Sequence, residues 1–80
     1  MVKIAGFTFN PTTISVGKGT DVTWVNEDPA EHTVTAKDNL FASSPLPSGS
    51  TFVAHFDRVG TFDYFCAIHP TIQAKVHVVD

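Results

Sequence analysis

Sulfur is scarce in this chain, with one cysteine, Cys66, and one methionine, Met1, among 80 residues. A lone cysteine closes no internal disulfide, so cross-links cannot tell the redox compartment. Basic charge is scarce too: five lysines and arginines stand against eight acids, for a net charge of -3. No basic stripe of the kind that neutralises phosphates is present, which argues against nucleic acid as a partner. No run approaches the roughly 18 apolar residues of a membrane span. No basic segment followed by an apolar one opens the chain, so any export signal is expected to have been removed already. Helical periodicity is not sustained for three turns anywhere, which leaves an α-helical fold nothing to be built from.

What is present reads as strands. Short β-rich stretches, VKIAGFTF, ISV and DVTWVN, alternate with the turn signals NPTT, GKGT and EDPAE, a spacing that predicts an all-β sandwich or barrel. Period-2 patterning puts Ile14 with Val16, Val22 with Trp24, and Val76 with Val78 on inward faces, and Ser15, Thr23 and His77 on the opposite ones. Between Val2/Ile4 and Phe7/Phe9 the parity slips, and a β-bulge at Gly6 is the expected cause. Residues 37–50, with two prolines and four serines, read as a connection crossing between sheets with room for one short edge strand. Phe52, Ala54 and Phe56 are expected inward, followed by a turn at Arg58-Val59-Gly60. Phe62, Tyr64 and Cys66 then share a face, so the cysteine points into the core where a strand gives way to a loop. One domain, 1–80, is expected, with little surplus stability at this length.

A buried cysteine is commonly just a small hydrophobe. His69, three positions on in CAIHPTI, sits in a short loop capped by Pro70, which can bring thiolate and imidazole to one metal. His32, which opens HTVTA after a turn, is the candidate third donor. Two imidazoles and a thiolate suit a blue-copper site. Zinc could take the same three plus water. A cysteine nucleophile with His69 as base is a further alternative, although a core-facing strand end offers no helix N-terminus and no evident oxyanion donors. His55 and His77 fall on outward parities and read as solvated.

GFTFNPTTISVGKGTDVTWVNED, a histidine after a proline-containing turn, and VGTFDYFCAIHP together resemble the plastocyanin and amicyanin branch of the cupredoxins, over nearly the whole chain. The resemblance implies a Greek-key β-sandwich of about seven to eight strands. It implies one type 1 copper, with Nδ1 of His32 and His69 and Sγ of Cys66 as equatorial ligands. It also implies an exported, periplasmic or extracytoplasmic protein, monomeric, that passes electrons to redox partner proteins docking near His69. Ala67, Ile68 and Pro70 would ring that port, with Phe65 as a second contact.

The sequence departs from the family pattern in two places. The residue after the first histidine, commonly an asparagine tying the two ligand loops together, is Thr33, so that brace is weaker or made differently here. The axial methionine expected three residues after His69 is Ile72, and Met1 is the sole methionine. Gln73 could serve as axial ligand, as glutamine does in stellacyanin-like cupredoxins, but the inward alternation of Ile72, Ala74, Val76 and Val78 turns it outward. The expectation is a high-potential electron carrier with a three-coordinate, isoleucine-capped copper and no enzymatic activity. The rivals are a copper-binding or delivery module, and an open copper site that reacts with a small molecule such as nitric oxide.

Overall fold

A computed structural model describes residues 1–80 as eight strands and no helix. They are β1 (Val2–Ala5), β2 (Thr8–Asn10), β3 (Thr13–Gly17), β4 (Thr20–Asn26), β5 (Thr35–Ala36), β6 (Thr51–Phe56), β7 (Gly60–Phe65) and β8 (Gln73–Val79). Two four-stranded sheets face each other, in the orders β2-β1-β4-β6 and β3-β8-β7-β5. The pairs β1·β4 and β3·β8 are parallel and the others antiparallel.

Alternation along each strand decides what fills the space between the sheets. Val22 and Trp24 of β4, Ala54 and Phe56 of β6, Phe62 and Tyr64 of β7, and Ala74, Val76 and Val78 of β8 are all buried, as the period-2 pattern requires. Ile14, Val16 and Phe52 are half-buried at the margin of this core. Trp24 stands edge-on to Tyr64 at 5.4 Å between ring centroids, and Tyr64 edge-on to Phe9 at 4.7 Å. Burial pushes the Tyr64 hydroxyl up to about 12, against a smaller opposing pull from the Trp24 indole N–H.

Gly6 is not a bulge. VKIAGFTF folds back on itself as a hairpin, with Ala5 paired to Thr8 and Ile4 to Phe9. The two-residue loop Gly6-Phe7 has φ of 62° and 55°, the positive values a type I′ turn demands of both residues. The reversal, rather than an extra residue, shifts the parity and removes Phe7 from the core, leaving it 53% exposed. Glycine takes such a φ freely, whereas a side chain there costs roughly 1–2 kcal/mol.

Residues 37–50 cross from β5 to β6 without a strand of their own. The connection is pinned by single bridges, Thr35 to Ala42 and His32 to Leu46, and by Leu46 and Phe41 packing against the core.

Candidate metal centre

The last inward position of β7's alternation belongs to Cys66, the first residue past the strand, and its side chain is wholly buried. The loop that follows is closed by its own backbone: Ile72 N–H donates to His69 O at 2.9 Å, and Cys66 N–H to Ile72 O at 3.0 Å. His69 is half-buried in that loop. From the opposite side His32 is held by its bridge to Leu46 and is also wholly buried.

These three side chains converge. Their donor atoms all lie within 4.8 Å of one another. Cys66 Sγ is 3.5 Å from His32 Nδ1 and 3.9 Å from His69 Nδ1. Metal–nitrogen and metal–sulfur bonds of about 2.0–2.3 Å meeting at wide angles separate such donors by about 3.8 Å, close to both distances from Cys66 Sγ. The softness of the set, one thiolate and two imidazoles, suits copper.

Asp28 orients His32. The Nε2 of His32 lies 2.9 Å from Asp28 Oδ2, and a carboxylate only accepts, so Nε2 is the donor of this bond and Nδ1 is the ring nitrogen that faces Cys66. Asp28 is itself buried and accepts from Gly6 N–H at 2.8 Å and Phe7 N–H at 2.9 Å. Burial alone would raise its pKa, but the bonds from Phe7, His32 and Gly6 outweigh it and hold the carboxyl below its ordinary value.

The cupredoxin-like domain family matches residues 1–78. The chain is a cupredoxin. Among its relatives, the amicyanin-alpha of Methylorubrum extorquens is 33% identical, over 96% of this chain and 69% of that one. A purple cupredoxin from Nitrosopumilus maritimus is 28% identical, with a TM-score of 0.92 over 98% of this chain and 97% of that one. A copper-containing nitrite reductase from Thermus scotoductus superposes with a TM-score of 0.92 at 26% identity, over 99% of this chain but 22% of its own. Cupredoxins are an electron-transfer family that binds one copper, and the His32, Cys66 and His69 group is the candidate for it here.

Within this cupredoxin, the brace between the two ligand loops is made differently. Thr33 N–H donates to Cys66 Sγ at 3.3 Å, and Thr33 Oγ1 accepts from Ala67 N–H at 2.7 Å while bonding Thr35 Oγ1 at 3.1 Å. A threonine thus ties the loops through both its main chain and its side chain. Ile72 is buried and joins the apolar core. Gln73 is exposed, its amide accepting from Lys37 Nζ and donating to Pro70 O, both at 3.2 Å. His55 bonds Asp21 at 2.6 Å and His77 bonds Thr61 at 2.9 Å on the outer faces, apart from the three converging donors. Sequence reasoning missed Asp28 and Phe7. The four-residue spacing from Asp28 to His32 across the EDPAE turn was the available signal for the first.

Proposed function

We propose that His32, Cys66 and His69 hold one copper in a small electron carrier. The observation that carries this reading is the convergence of one buried thiol and two Nδ1 atoms within 4.8 Å. Copper bound there supplies a one-electron couple between Cu(II) and Cu(I). Ligand loops tied by Thr33 and by the Ile72 backbone hold the donors at fixed separations, which keeps reorganisation small when charge changes. Ile72 takes the place of an axial donor; its hydrocarbon excludes water and donates nothing, and both effects favour the lower-charged state. A high reduction potential follows.

We further propose that partners dock on the face around His69. Ile68 is 44% exposed and Phe7 53% exposed, and both lie near the half-buried imidazole. A monomer, one domain over 1–80, exported to a periplasmic or extracytoplasmic compartment and not an enzyme, completes the proposal. No helix is long and apolar enough to cross a membrane.

The test is a visible spectrum on adding Cu(II). One equivalent should give an intense blue Cu–thiolate band that Cys66→Ser abolishes without unfolding the chain. A blue Cys66→Ser protein would sink the assignment. Fast self-exchange between oxidised and reduced protein distinguishes a carrier from a delivery module, and a colour change on adding small anions would reveal an open site instead.

A further inference from the structure

We infer that Asp28 and the Gly6-Phe7 turn form a clamp that positions the two ligand imidazoles from outside the ligand loops, an inference that rests on the copper reading above. The turn tip is bonded to His32 through one carboxylate: Gly6 and Phe7 donate their N–H groups to Asp28, which also accepts a hydrogen bond from Nε2 of His32. From the same tip the Phe7 ring lies nearly perpendicular to both imidazoles, 5.4 Å from His32 and 5.3 Å from His69 between centroids, each at 86°.

Phe7 has no ordinary reason to be there. It lies 53% exposed, so core burial does not explain it, and its φ of 55° is one a bulky side chain rarely adopts. Strain kept at such a position points to a role for the side chain that occupies it. Here the role is geometric: the Phe7 ring limits rotation of both imidazoles, and Asp28 holds Nε2 of His32 as a donor.

The electronic consequence follows from the same bond. A carboxylate accepting the outer proton of an imidazole makes the inner nitrogen a stronger donor. Asp28 therefore favours Cu(II) and works against the effect of Ile72, so that the potential is set by two opposed residues. Both are positioning or tuning residues, since neither supplies a donor atom.

The first measurement needs no metal and no variant. Ring-nitrogen NMR of the apo protein should show His32 as a single Nε2–H tautomer; an Nδ1–H or evenly mixed His32 would overturn the clamp. In copper-loaded protein, Asp28→Asn should weaken Cu(II) binding tenfold to a hundredfold. It should also shift the Cu(II)/Cu(I) balance about tenfold towards Cu(I), a rise of about 59 mV for one electron. Phe7→Gly keeps the N–H bonded to Asp28 and relieves the turn, so it should leave the apo fold at least as stable while weakening copper binding and altering the visible spectrum. If wild-type protein is blue and both variants match it in affinity, potential and spectrum, the clamp fails and the copper site stands. A wild-type protein that takes up no copper defeats the site reading instead, and the apo tautomer still decides whether Asp28 positions His32.

Discussion

Isoleucine and methionine are close in volume, so Ile72→Met is a substitution the core tolerates at a cost below about 1.5 kcal/mol. What it adds is a weak thioether donor that stabilises Cu(II) more than Cu(I). Voltammetry should find the reduction potential lowered by about 59 mV, a tenfold change in the equilibrium between the two states. The Cu–thiolate band should persist. Gln73→Ala is the control: the Gln73 amide is engaged with Lys37 and Pro70 on the exposed side, so the potential should hardly move. An unchanged or higher potential in Ile72→Met, or a large shift in Gln73→Ala, would show that Ile72 does not occupy the axial place. Thr33 offers a second test at this scale. Thr33→Val keeps the shape and the N–H bond to Cys66 but removes the acceptor of Ala67 N–H. Denaturant unfolding of the apo protein should show a loss of about 1–3 kcal/mol, the cost of an unpaired polar group. A loss near zero would mean that water replaces the hydroxyl.

Among the elements, those with clean alternation are legible in the sequence alone. β4, β7 and β8 each bury every second residue, so Trp24, Tyr64 and Val76 announce their side of the sheet. Cys66 and His69 were legible for a related reason: inward parity placed the one, and a short loop tethered the other. The first hairpin was not legible, because Gly6-Phe7 reverses the usual preference for glycine at the second turn position and a phenylalanine does not advertise a positive φ. Asp28 escaped for want of any period, since a carboxylate within a turn reads as solvated until the tertiary fold brings Gly6, Phe7 and His32 around it. The brace at Thr33 was visible only as a missing asparagine. Its replacement by a shorter hydroxyl works because Ala67 N–H comes within 2.7 Å.

For the molecule as a whole, a sandwich of 80 residues without disulfides has little margin. An ion that binds the folded state alone stabilises it by about 2.7 kcal/mol at a hundredfold excess over its dissociation constant. In a domain this size that raises Tm by about 10 °C or more. Calorimetry of apo and metal-loaded protein checks it; coincident curves would count against a preformed site. A second global property is alkaline stability. Tyr64, the sole tyrosine, ionises near 10 when exposed and near 12 in the fold. Because the folded value is the higher one, its contribution is complete below pH 10 and is lost as pH climbs towards 12. The tyrosinate absorbance of native protein should therefore appear only near the upper value, and unfolding should become easier across that interval. Ionisation near 10 without loss of structure would mean that the hydroxyl reaches solvent.

The order in which the strands leave the ribosome gives the parallel pairing of β3 with β8 a further meaning. β8 comes last of the eight strands, yet it lies between β3 and β7, so the second sheet has no middle until Gln73–Val79 is in place. Pairings this distant along the chain form late and slowly. His32 and Cys66, 34 positions apart, meet beside the pairing of β5 with β7 in that sheet. The cluster of one thiol and two imidazoles is therefore a property of the finished sandwich: an unfolded chain carries the same three side chains but holds His32 far from the other two.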